Sequence, residues 1–246
     1  MSRPSAPPYA PYANEAASAL YELLFCDDPS SYAAKPGQEP AAWQRILFAE
    51  PPDPAALRAL ADDATQEGRV RHLACARLRE RGHAVPPKRL HGVIVEVPVD
   101  GGLDALAAYA EGGVRYINHS GAMSIVEGVD VPGARVAALL EAAAAVVGRI
   151  GPSAEPRRPP PAPGLVRLSF LTSDGLCFGE GPMATMARDA MAGPVVAQAV
   201  ALLQAVFELR SDRNREHGSR VDDHRGLGDA RVVLGLGRRA PDRSGL

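Results

Sequence analysis

Aromatic residues make up only 5% of this 246-residue chain, and lysine is nearly missing, with Lys35 and Lys88 as its only two examples. An excess of one charge is missing too. The net charge is −2 and the pI is near 6.3, which argues against a general binder of nucleic acid or of an acidic membrane surface. Cysteine is scarce. Cys26, Cys75 and Cys177 are odd in number and widely spaced, with no CxxC pair, which predicts a reducing, cytoplasmic setting and no disulfide framework. The opening stretch MSRPSAPPYAPYANEA lacks the apolar centre of a secretory signal. The apolar run around Ala137–Val147 is broken by Glu141 and is too short to span a bilayer. The patterns GxxxxGK[ST], HExxH and GxSxG do not occur. GLGDARVVLGLG has the letters of a phosphate loop, but no strand–loop–helix context around it. No cofactor and no metal is expected.

What is present is 46% hydrophobic residues, enough to bury a core. Residues 1–13 are rich in proline and tyrosine and read as disordered. Residues 14–85 read as a helical subdomain. Asn14 caps a helix to about Phe25, with Ala16, Leu20, Leu23 and Leu24 as its apolar stripe. Asp53 and Pro54 open another helix, and EGRVRHLACARLRERG carries Val70, Leu73, Ala74 and Leu78 opposite a face of arginines. Residues 90–209 read as an α+β domain. HGVIVEVPV alternates as a strand, and LDALAAYA, VRYINHS and AMSIVE continue an antiparallel meander between glycine turns. A helix follows, then a proline-rich connector over 151–164, a hairpin turning at Asp174–Gly175, and a last helix near Pro194–Leu209. Residues 210–246 hold nine arginines against six acids and read as a disordered charged tail. The fold class is α+β: an N-terminal helical layer, then an antiparallel sheet with a C-terminal helix. One sheet with helices on one face satisfies that order.

The polar candidates for binding are Arg115, Asn118, His119, Asp174 and Glu180. Asn118–Gly121 is best read as a turn, because adjacent strand residues such as His119 and Ser120 point apart. Cys177 sits between Leu176 and Phe178 and reads as an apolar buried thiol. His72 and Cys75 share a helix face, yet a zinc site needs further ligands. The last helix is different in kind. PVVAQAVALLQAVF has polar residues only at Gln198 and Gln204, which define no single polar face. Val196, Val200, Leu203 and Phe207 are therefore candidate interface residues, to be covered by the chain itself or by a partner. The reading that follows is a non-enzymatic protein-binding or adaptor module with a protein partner or self-association, and with neither nucleic acid nor membrane. The alternative is a hydrolase or transferase that assembles His91, His119, Cys177, Asp174 and Glu180 from a distance.

Overall fold

The computed structural model describes residues 9–128 and 132–216. Six strands are formed: β1 (Leu90–Val99), β2 (Gly102–Tyr109), β3 (Val114–Ile117), β4 (Met123–Val126), β5 (Leu165–Thr172) and β6 (Gly175–Pro182). They make one antiparallel sheet in the order β4-β3-β2-β1-β5-β6. The architecture is α+β. β2 is the instructive strand. Its alanines favour helix as isolated residues, but Ala105, Ala107 and Ala108 are fully buried between two layers, and that tertiary context overrides propensity. In the β5–β6 hairpin Thr172 pairs with Gly175, so Ser173 and Asp174 form the two-residue turn.

Helices cover both faces of the sheet, which corrects the expectation of one covered face. On one side lie α1 (Glu15–Phe25), α2 (Ala42–Leu47), α3 (Pro54–Asp62) and α4 (Gly68–Glu80). Their apolar side chains share a core with Ile94, Ala105, Tyr109, Ile117 and Leu171 of the sheet. On the other side lie α5 (Gly133–Val147) and α7 (Ala192–Glu216), against Val93, Val95, Leu106, Tyr116 and Phe170. A four-residue α6 (Met183–Met186) follows β6. The first face is hard to recognise in sequence because it carries Glu96, which reads as a solvent position. The structure buries Glu96 completely, with its Oε1 accepting a 2.6 Å bond from the Tyr21 hydroxyl.

The helix caps follow the sequence. Asn14 Oδ1 accepts from the N–H groups of Ala16 and Ala17, and Asp53 Oδ1 from those of Ala55 and Ala56. The buried stripe of α1 is shifted from the expected one: Ala17, Tyr21, Leu24 and Phe25 face the sheet. In α4 the arginine face is not wholly solvated either, since Arg69 and Arg71 are buried with His72. α4 also approaches β1 closely, and a Cβ on Gly68 would stand 2.0 Å from the His91 carbonyl oxygen.

The chain ends depart from the expected boundaries. Tyr12 is buried and Tyr9 packs against the core, while α7 continues seven residues beyond Leu209 to Glu216. The rest of the expected tail, 217–246, and residues 1–8 lie outside the described residues. By length and composition α7 over Ala192–Ser211 is apolar enough to cross a membrane, but half of that stretch is buried inside the fold.

Candidate interaction surface

β4 is an edge strand, and its register fixes which way its backbone points. The Asn118 N–H donates to the Ala122 carbonyl at 2.9 Å, and β3 pairs with β4 as Tyr116↔Ser124 and Val114↔Val126. In an antiparallel ladder every second pair exchanges hydrogen bonds. Ser124 and Val126 therefore bond to β3, while the N–H and C=O groups of Met123 and Ile125 point outward. Among the described residues nothing pairs with those outward groups. The same two residues carry the exposed large hydrophobic side chains, 38% exposed at Met123 and 52% at Ile125. A groove of about 200 Å³ runs along the strand, completed by Leu209 and Arg210 near the end of α7. Arg210 Nη1 donates to Ser124 Oγ at 2.7 Å.

The opposite edge, β6, is treated differently. The proline-rich connector runs beside it, the Ser153 N–H donates to the Leu176 carbonyl at 2.8 Å, and the Arg158 guanidinium lies 5.1 Å from the Phe178 ring centre. The bond at Leu176 covers the hairpin end of that edge, and covering an edge blocks unwanted strand pairing.

The residues singled out from sequence mostly stitch local structure. Asn118 Oδ1 accepts from Ser120 N, Ser120 Oγ and Ala122 N, which closes the turn. Gly121 in that turn has φ +82°, and a Cβ there would press on Asn14 and Ala17 of the α1 start. Arg115 is buried and paired with Glu127. Asp174 Oδ1 accepts from Lys88 N and Thr172 Oγ1. Glu180 holds Arg167 through Nε at 2.9 Å and Nη2 at 2.5 Å.

His119 donates its backbone N–H to Asp104 Oδ1 at 2.7 Å, with its ring Nδ1 at 3.7 Å from the same oxygen. The cysteine proposed to act with it is distant. Cys177 lies on β6 opposite Phe170, and the turn after β3 is four strand spacings away, roughly 19 Å. Burial pushes the Cys177 thiol up, away from the reactive thiolate. His91 is fully buried, 3.8 Å from Cys75 Sγ. His72 donates from Nδ1 to the Thr172 carbonyl at 2.9 Å, so it is a core residue. No cluster of three or more His, Cys, Asp or Glu side chains among the described residues has the geometry to hold a metal ion.

The interface candidates on α7 are covered from within. Val196, Val200 and Leu203 are buried in the core formed with α5 and the sheet, and Phe207 packs edge-to-face on Tyr116 at 5.6 Å. The outward side of α7 consists of residues such as Ala197, Gln204 and Glu208, and small or polar side chains tolerate that exposure. Met123 and Ile125 were not among the sequence candidates. The alternation in AMSIVE marks a strand, but edge position is a property of pairing.

Asp104 yields a test of this turn. Its side chain is buried and its Oδ2 has no hydrogen-bond partner among the described residues. Burial raises its pKa to about 6, opposed by the bond from His119 N–H. A carboxyl raised in the folded state stabilises below its unfolded pKa, and that contribution is lost as pH rises through the folded value. Asp104→Asn is therefore expected to lose less stability than the native chain between pH 4 and pH 7, by on the order of 2 kcal/mol. Urea titrations of both proteins across that range measure it. Parallel pH profiles would contradict the assignment.

The chain matches no protein-family model, no curated protein and no solved structure in the comparisons made.

Proposed function

We propose that the chain is a non-enzymatic protein-binding module that takes an extended segment of a partner onto the open edge of β4. One observation carries this reading: Met123 and Ile125 combine outward backbone groups with exposed apolar side chains on the same short strand. Strand addition uses both, with main-chain bonds supplying affinity and alternate side chains supplying selectivity. A difference between the two edges supports it: β6 receives one backbone bond from the connector, at the Leu176 carbonyl, whereas among the described residues β4 receives none. A reducing, cytoplasmic setting fits the three cysteines, all unpaired and buried.

Selecting displayed short peptides on the full chain tests the proposal. Enrichment of extended, β-prone sequences is expected, and Ile125→Lys is expected to weaken their binding roughly tenfold or more. Because Ile125 is half exposed, the variant should keep its fold, as read by circular dichroism. Peptides that bind the variant as well as the native chain would overturn the reading.

A further inference from the structure

We infer that the segment received by β4 carries an acidic side chain between two apolar ones. This rests on the strand-addition reading and adds the chemistry of the partner. Successive residues of an added strand face opposite sides of the sheet. Those opposite Met123 and Ile125 would lie on the α1–α4 side, beside two exposed apolar side chains. The residue opposite Ser124 would lie on the α7 side, since Ser124 pairs with Tyr116 of that core. There it meets Arg210, whose guanidinium lines the groove and donates to Ser124 Oγ. Among the described side chains no carboxylate pairs with Arg210, whereas Arg157 and Arg167 each hold one or more. Glu127, the nearest acid along the strand, is engaged by Arg115. An incoming Asp or Glu would complete a charge-assisted pair at Arg210.

The same geometry disfavours a second copy of this chain. To use all four outward backbone groups, a two-fold pairing must set Met123 against Ile125 and Ser124 against Ser124. The two Arg210 guanidiniums would then converge on one face, and like charges directly opposed are destabilising.

The test uses the full chain and a labelled, end-blocked peptide, Ser-Thr-Val-Glu-Val-Thr-Ser, together with the same peptide bearing lysine in place of glutamate. Fluorescence polarisation is expected to show the glutamate peptide binding roughly tenfold tighter or more. Arg210→Glu should reverse that preference, and Arg210→Gln should flatten it. Circular dichroism and the urea midpoint confirm that both variants remain folded. Equal binding of the two peptides, with both still weakened by Ile125→Lys, would overturn the acidic centre and leave strand addition standing. If neither peptide binds, both ideas fail. A dimer in sedimentation that dissociates in Ile125→Lys would show that a second copy occupies the edge, which overturns the inference.

Discussion

Arg157→Ala is expected to destabilise the fold by about 3–5 kcal/mol, the usual cost of removing one partner of a buried ion pair. Arg157 comes from the proline-rich connector, yet its side chain is only 2% exposed. Its Nε donates to Asp27 and its Nη2 to Glu22 at 2.9 Å. Three rings enclose the guanidinium, with centres at 4.1 Å for Phe25, 4.8 Å for Tyr9 and 5.3 Å for Tyr21. Tyr9 also donates its hydroxyl to the Arg157 carbonyl at 3.1 Å. The side chain thus ties the connector to α1 and to the N-terminal segment, beside the buried Glu96–Tyr21 bond. Truncation would leave Asp27 and Glu22 without their cation and open a hole among aromatic rings.

A fall in melting temperature of roughly 10 °C is expected for a chain of this size. Arg157→Lys should be intermediate, because lysine restores the charge without the planar fork. Combining Arg157→Leu with Asp27→Asn and Glu22→Gln should recover much of the loss, since replacing a whole buried ionic cluster is far less costly than breaking it. Denaturant midpoints for the series provide the check. An alanine variant within 1 kcal/mol of the native chain (about 1 kcal/mol being an ordinary substitution) would show that the cage is not a structural tie.

The second large effect concerns acid. Burial lowers the pKa of His91 to about 3, helped by His72 and by Arg71, Arg89 and Arg79. Burial likewise lowers His72 to about 4, with Arg79 adding to it and the Thr172 carbonyl opposing it. Both rings are neutral in the folded chain at pH 7. A group whose folded pKa is depressed stabilises above its unfolded pKa, and the contribution is lost as pH falls towards the folded value. For His91 the window runs from about pH 6.5 down to about 3. Relative to His91→Leu, the native chain is expected to lose about 3 kcal/mol between pH 7 and pH 4.

The variant comparison is needed because Asp104, raised by burial to about 6, titrates in the same range with the opposite sign, and burial also raises Glu96. Leucine also removes His91 Nδ1, which is buried without a hydrogen-bond partner among the described residues, so the variant should fold. Urea unfolding at several pH values follows the difference. If it does not change with pH, His91 is not held neutral by the fold.

Much of the strand and helix pattern was legible from local signals. Asn14 and Asp53 mark helix starts through side chains that bond their own neighbours, and the Asn118–Gly121 turn closes through Asn118 itself. Charge was the misleading signal. Arg69, Arg71, Arg157, Arg167 and Glu96 all read as solvated positions, and all are buried. Arg157, Arg167 and Glu96 are met by residues of other segments, Arg69 lies over Tyr109 at 5.3 Å, and Arg71 donates to the Ala61 carbonyl. Of the named polar candidates, Arg115, Asp174 and Glu180 proved to be tied to nearby partners. Val196, Val200, Leu203 and Phe207, expected as interface residues, are covered by α5 and the sheet of the same chain.

The amino-acid order by itself marked most helices, strands and turns, because periodicity, caps and turns act over a few residues, while β2 took its form from the layers that bury its alanines. Tertiary structure alone decided which charges lie inside, that both faces of the sheet are covered, and that β4 ends the sheet with Met123 and Ile125 unpaired among the described residues. Those outcomes depend on which segments meet in space, and a burial or an edge exists only once the pairing of distant strands and helices is complete.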